Sequence, residues 1–348
     1  MRRECPGLVV LMGSGEIAAS AQGVYHEVMR RFSPPVQVAV LETPAGFELN
    51  SDRVAARVAD YMREHLQNFR PEVTVIPARQ RGTPYSPDEP SILEPLLRAD
   101  MVFFGPGSPT YAVRQLRGSV AWQMIQACHR LGAALVLASA AAVSMGAHTL
   151  PVYEIYKVGQ DLHWQPGLNF FGVHGLHLVF VPHWDNNEGG ADLDTSRCWM
   201  GLQRFARLRD MLPPDATIVG IDEHTALFMD CNTESCQVMG RGTVTISRGE
   251  FSRSWPDGAT FSLLELGHCR KPALEEGIAP PVWRHVLEAQ QCALAEPQPS
   301  EEVMALVAER EAARARRDWA AADDLRKHVQ ALGWQIRDTS QGPNVTPQ

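Results

Sequence analysis

The sequence predicts an α/β fold: a three-layer sandwich around a mainly parallel sheet, followed by a small C-terminal αα-hairpin module. Three observations carry that expectation. Short apolar runs alternate with longer segments of helical periodicity, which is the pattern of successive βα units. One of these runs, Ala133–Leu137, stops abruptly at Ser139, and small residues that can open a helix follow it. From Ser300 onward, two polar segments with narrow apolar faces follow a proline-containing stretch, Glu296–Pro299.

Taken in order, Leu8–Met12 is a short apolar strand, Gly13-Ser14-Gly15-Glu16 its turn, and Ile17–Arg31 a helix. The turn is not GxGxxG, so it gives little support to a dinucleotide site. Val36–Leu41 is the next strand, Glu42–Gly46 its loop and Ser51–Leu66 a helix that Ser51 can cap. Val73–Pro77 is a strand, Arg79–Pro90 a proline-rich loop and Ile92–Arg98 a short helix. Asp100–Phe104 then runs into Gly105-Pro106-Gly107-Ser108-Pro109 and a helix reaching Leu116. Glycines at a strand end let backbone N–H groups approach a ligand closely. The Ser139 turn comes next, and strand, abrupt serine, helix is the layout of a nucleophile elbow. The bland alternative is a serine that merely caps a helix.

After an irregular stretch from His148 to Gly167, Leu176–Val181 is a strand ending in Pro182-His183-Trp184-Asp185. A histidine just past a buried strand, on a polar glycine loop, suits acid–base work. His183, Asp185 and Glu188 match no metal-site spacing, and neither metal nor cofactor is implied. Leu202–Met211 is a helix bearing Arg204 and Arg207, and Ala216–Ile221 is a strand ending in Asp222-Glu223. An acid at a strand end can orient a histidine. Cys236–Ser247 and Thr260–Leu266 read as terminal strands, and the mixed segment 271–299 reads as a linker. Ser300 caps a helix to about Arg317 with Val303, Leu306 and Val307 on its apolar face. Asp318 caps a second, with Leu325, Val329 and Leu332 inside and Gly333 at its end.

Composition narrows the function classes. Apolar residues at 45% and charged residues at 21% suit a soluble globular protein. A net charge of −8 argues against general coating of nucleic acid and leaves a local basic patch open. Seven scattered cysteines without a CxxC pair point to reduced thiols in a cytosol, and the location expected is cytoplasmic. Met1–Pro6 shows no signal-peptide core, and no apolar run reaches spanning length, so no membrane partner is expected.

Ser139, His183 and Glu223 each follow a separate apolar strand. With Gly13-Ser14-Gly15-Glu16, Gly105-Pro106-Gly107, Ser139-Ala140 and Gly220-Ile221-Asp222-Glu223, they make residues 8–266 resemble the cyanophycinase and peptidase E family of serine hydrolases. That resemblance implies a class I glutamine-amidotransferase-like fold. It implies Ser139 as nucleophile, His183 as base, Glu223 as its orienter, and Gly107 and Ala140 as oxyanion donors. Arg204 and Arg207 are similar to the family's arginine-bearing segment and are expected at the substrate. A glutaminase would need cysteine where Ser139 stands. This chain departs from the family at Leu137 and Ala141, where the family elbow has glycine, and in the acid- and glycine-rich stretch 186–194.

The tail, from Ala312-Ala313-Arg314-Ala315-Arg316-Arg317-Asp318-Trp319 to Gln341-Gly342, resembles the C-terminal module of cysteinyl-tRNA synthetase. That module meets tRNA, which makes Arg310, Arg314, Arg316 and Arg317 the expected RNA contacts; a solvated hairpin used only for packing is the alternative. No synthetase catalytic sequence lies upstream. The domains expected are therefore a hydrolase-type domain over 1–270, a linker over 271–299 and the tail module over 300–348. The function expected is cleavage of an amide or ester in a small peptide-like or amino-acid-derived substrate. The rival is a non-catalytic protein of the same fold that binds a ligand or tRNA. A homo-oligomer is compatible with either.

Overall fold

The computed structural model describes residues 5–294, 299–339 and 342–347. The chain divides into two compact units, Met1–Gln290 and Gln291–Gln348. The first begins with β1 (Val9–Met12), α1 (Ala21–Met29), β2 (Gln37–Leu41), α2 (Ser51–His65), β3 (Glu72–Ile76) and the single turn α3 (Pro90–Leu93). It continues with β4 (Met101–Phe104), α4 (Pro109–Leu116), α5 (Val120–Arg130), β5 (Ala134–Ala138), α6 (Ala140–Ser144), β6 (His148–Thr149), α7 (Val152–Tyr156) and β7 (Gln165–Pro166). Then come β8 (Leu178–Val181), α8 (Gly201–Asp210), β9 (Thr217–Ile221), β10 (Thr225–Asp230), β11 (Ser235–Gly240), β12 (Thr243–Arg248), β13 (Phe251–Pro256), β14 (Thr260–Ser262) and α9 (Pro280–Leu294).

The main sheet has eight strands in the order β14-β11-β10-β1-β5-β4-β2-β3. From β1 to β3 every pairing is parallel, and β10, β11 and β14 add an antiparallel edge. Alternation along the parallel strands sorts their side chains into two cores. Val9, Leu11, Val102, Phe104, Leu135 and Leu137 point into one. Val10, Met12, Met101, Phe103, Val136 and Ala138 point into the other. Both faces of the sheet are thus covered, which is why these strands read as unbroken apolar runs. This is the three-layer α/β architecture the sequence predicts. Serine caps start the helices on time: Ser108 Oγ accepts from Tyr111 N–H, with Pro109 at the first helical position, and Ser119 Oγ accepts from Trp122 N–H.

The structure departs from the expectation in several places. Helix α1 starts at Ala21 rather than Ile17, because successive turns (Ala18 N–H to Gly15 O, Ala21 N–H to Ala18 O) occupy the gap. Ser51 lies inside α2, whose cap position is Asn50, and its hydroxyl donates to Glu42 at 3.1 Å. The strands preceding His183 and Glu223 do not join the main sheet. They form a second, four-stranded sheet, β13-β12-β9-β8, with its own core of Val179, Val181, Ile218 and Phe205. The Cys236–Ser247 run is two strands in different sheets, parted at Gly240, whose φ of +145° lets the chain leave one sheet for the other. Within the segment expected to be a linker, α9 forms, and its Val286 is fully buried against the main core.

In the second unit, α10 (Glu301–Ala315) and α11 (Trp319–Ala331) form the expected helix pair. Their caps are as read: Ser300 Oγ accepts from Val303 N–H and Asp318 Oδ1 from Ala321 N–H. An antiparallel hairpin, β15 (Trp334–Thr339) with β16 (Gly342–Pro347), completes the unit and was not predicted. Ile336 from that hairpin joins Val303, Val307 and Val329 in a small core. Leu332, expected inside, is the C-cap residue of α11 and 39% exposed. Among the described residues no helix is long and apolar enough to cross a membrane.

Phe103 is fully buried and meets the Tyr25 ring edge-on at 6.2 Å. Phe103→Ala should cost about 3–5 kcal/mol in urea unfolding. Phe251→Ala, on a strand where that ring is 46% exposed, should cost no more than about 0.5 kcal/mol. Equal effects would mean that the two-core assignment is wrong.

Candidate active site

The site forms where the two sheets meet. Strand β5 delivers Ser139, and α6 starts at the next residue. Ser139 has φ 53° and ψ −115°, a conformation that costs an L-residue on the order of 1–3 kcal/mol. Two contacts hold it there: its N–H donates to Met12 O at 3.1 Å, and its carbonyl accepts from Val143 N–H at 3.2 Å. The sharp turn at Ser139 therefore forms without glycine on either side. Leu137 and Ala141 at those positions are fully buried in the core and support the turn by packing.

His183 follows β8, and Glu223 follows β9. Ser139 Oγ lies 3.0 Å from His183 Nε2, and His183 Nδ1 lies 2.8 Å from Glu223 Oε1. A carboxylate can only accept, so Nδ1 carries the proton of the neutral ring and Nε2 is left to accept from the serine hydroxyl. Glu223 also accepts from Asn186 Nδ2 at 3.0 Å. The hydrogen bond from His183, followed by that from Asn186, holds its carboxyl below the ordinary glutamate value against the opposing effect of burial. Its own backbone N–H donates to Asp185 Oδ1 at 2.7 Å, which fixes the turn it sits on.

The Ser139 cavity holds about 280 Å³ and is lined by Gly107, Ala140, Tyr153, Tyr156, Lys157 and Trp199, among others. Ala140 opens α6, so its N–H has no acceptor within that helix. Gly107 has φ +143°, and a Cβ there would stand 2.0 Å from Pro44 O, so only glycine fits this loop. Gly13, from the opening turn, is bound in the same way: a Cβ would stand 2.0 Å from Asp222 O, beside Glu223.

Several expected residues do other work. Arg204 is spent on the carbonyls of Met200 and Trp199, at 2.7 and 2.8 Å, and Arg207 is exposed on α8; neither lines the cavity. Arg204 instead holds the loop that carries Trp199. Glu188 accepts from Trp199 Nε1 at 3.0 Å, so the acid-rich stretch also serves that loop. In the tail, Arg310 is only 4% exposed and its guanidinium pairs with Glu311 at 2.7 Å, so burial removes it from the expected RNA contacts. Arg316 and Arg317 are exposed and Arg314 is half-buried.

Other residues at the site were not found by sequence reasoning. The Trp199 ring lies 4.7 Å from the His183 ring, and Arg197, Cys198 and Trp199 take three successive positive φ angles without a glycine to announce them. Asn186 carries no motif. Cys198 is buried in the cavity wall, and burial pushes its thiol well up, so it stays protonated and does not compete with Ser139.

Comparison with known proteins divides along the two units. The crystal structure of a peptidase from an acI-B1 Actinobacterium superposes with a TM-score of 0.60 at 22% identity, covering 74% of this chain and 98% of that one. That similarity establishes the fold. A putative peptidase E protein from Listeria monocytogenes aligns more loosely, with a TM-score of 0.42 at 15% identity over 72% of this chain and 99% of that one. Residues 296–343 match the family described as the cysteinyl-tRNA ligase anticodon binding domain. Cysteine–tRNA ligase of Methanosarcina acetivorans is 53% identical over 45 residues, which is 13% of this chain and 10% of that protein. The Chlamydia pneumoniae enzyme is 51% identical over 47 residues, 14% of this chain and 10% of that protein. The chain thus spans about a tenth of the length of the curated relatives it matches.

Because folding lowers the Glu223 pKa, the folded chain binds fewer protons than the unfolded chain between the two values. Stability is lost as pH falls through that window. The Tm gap between wild type and Glu223→Gln should be greatest above the ordinary glutamate range and close on acidification through the folded-state value. A gap that does not change with pH would mean that the hydrogen bond to His183 does not hold the carboxylate.

Proposed function

We propose that the chain is a serine hydrolase that cleaves an amide or ester of a peptide-like or amino-acid-derived substrate. The observation that carries this reading is the continuous relay from Ser139 Oγ through His183 to Glu223, with links of 3.0 and 2.8 Å. In the proposed mechanism Ser139 Oγ attacks the carbonyl carbon while His183 Nε2 takes the hydroxyl proton. Glu223 orients the ring and stabilises the imidazolium. The N–H groups of Ala140 and Gly107 receive the charge that develops on the carbonyl oxygen. His183 then gives its proton to the leaving group, and water, activated by the same imidazole, releases the acid and restores Ser139. A purely binding descendant of this fold has no use for a strained serine beside an oriented imidazole, and that favours catalysis.

A second reading concerns the tail. We infer that it engages tRNA, supported by its match to the anticodon binding domain, with Arg314, Arg316 and Arg317 as the contacts. Acids nearly balance bases over this module, so the contact would be a local patch.

A fluorophosphonate probe tests the enzyme. Wild type should label at Ser139, and Ser139→Ala and His183→Ala should not. With an ester substrate, each should lower kcat by on the order of 10⁴-fold or more, and the double variant should be no worse than either alone. Folded wild type that takes up no probe would end this reading. For the tail, Arg316→Glu with Arg317→Glu should weaken tRNA binding and flatten its salt dependence by about one log–log unit per lost contact. Unchanged affinity would leave the module a packing element.

A further inference from the structure

A larger cavity of about 930 Å³ adjoins the catalytic one, and Tyr153 lines both. Its chemistry is distinct. Arg114 is exposed, its guanidinium lies 5.1 Å from the centre of the Tyr111 ring, and it has no carboxylate partner among the described residues. Arg117 donates to the carbonyls of Pro166 and Gly167, at 2.5 and 2.8 Å, and has no carboxylate partner among the described residues. Arg81, the third arginine of the wall, is paired with Asp88 at 3.2 Å. Phe47 is 50% exposed and Tyr153 42% exposed, both at the rim of this cavity. Glu48 lines it too, and its carboxylate has no hydrogen-bond or ion-pair partner among the described residues.

We infer that this cavity binds the single-stranded 3′ end of an RNA that carries an acyl group, which makes the substrate of Ser139 an acyl ester of a ribose hydroxyl. The inference rests on the proposed hydrolase and tRNA readings and names the substrate class for them. Aromatic faces stack bases. Arginines without acidic partners take phosphates. A free carboxylate accepts from an exocyclic amine of cytosine or adenine. An extended peptide of similar length would look for a strand edge to pair with. Here the walls come from α4, α7 (Tyr153 and Glu154, the latter accepting from Thr110 Oγ1), loops and the two-residue strand β7, which ends in a proline. The chemistry balances with the parts already described. Ser139 Oγ bonds to the acyl carbon, the bond from that carbon to the ribose oxygen breaks, and His183 protonates that oxygen. Water then cleaves the acyl-serine to give the free acid.

The test uses the full chain carrying Ser139→Ala and a fluorescently labelled CCA trinucleotide, too short to report on the tail. Anisotropy should show saturable binding. Arg114→Glu should weaken it at least tenfold, and Phe47→Ala, at an exposed position, should weaken it even if the arginine variant fails to fold. A tripeptide should not compete. No saturable binding, binding indifferent to both substitutions, or displacement by the peptide at lower concentration would each overturn the inference, even if wild type still takes up fluorophosphonate. Conversely, substitution-sensitive CCA binding by a chain whose wild type takes up no probe would keep the nucleotide site and remove the hydrolase.

Discussion

The geometry of the candidate site depends on the strained turn at Ser139. Ser139 sits at φ 53°, where Cβ crowds the backbone. That conformation persists because the residues on either side cannot move. Ala138 is registered against Met12 in the parallel pair β1–β5, and Leu137 is packed among Leu11, Phe104 and Leu135 in one core. On the far side, Ala140 and Ala141 are already helical and buried. A glycine would have made the turn without strain. Here the packed core around Leu137 and Ala141 supplies the rigidity instead.

The second sheet is the other half of the device. It brings a histidine and a glutamate to a serine that belongs to a different sheet, and the loop between β8 and α8 closes the site from the side. Trp199 walls His183, Glu188 and Arg204 hold Trp199, and Asn186 shares Glu223 with the imidazole. Polar groups that the sequence left open for substrate are mostly committed to holding this loop. The Ser139 cavity is still lined by Gly107, Ala140, Tyr156 and Lys157, and Tyr153 lines both it and the larger chamber.

Much of the parallel sheet was legible because its strands are buried on both faces and read as apolar runs bounded by glycine, proline or serine. The relay was legible because each member follows such a run. The second sheet was not, since β8 and β9 carry the same apolar signature as strands of the first, and pattern alone does not say which strand pairs with which. Strand β10 was hidden by the polar residues immediately before it, and α9 by the prolines of its first turn. Arg204 and Arg310 looked like surface cations. Their heads are used internally, one on two carbonyls and one on a neighbouring carboxylate, and neither use leaves a mark in the spacing. The three left-handed residues before Met200 contain no glycine, so nothing in the sequence announced Trp199.

Glu223 lies on the short crossing by which the chain leaves β9 in one sheet and enters β10 in the other. Its position is therefore a gauge of how the two sheets are aligned. Ile221 is registered against Val244, and Ala226 against Met12, so any slip in either pairing carries the carboxylate away from His183. Drift in sequence at positions such as Val244 or Ile246, remote from any reacting atom, would then detune the site while leaving a well-folded protein. The tolerance of the candidate site to random mutation then depends on a seam between sheets, and compensating changes are expected on both sides of that seam.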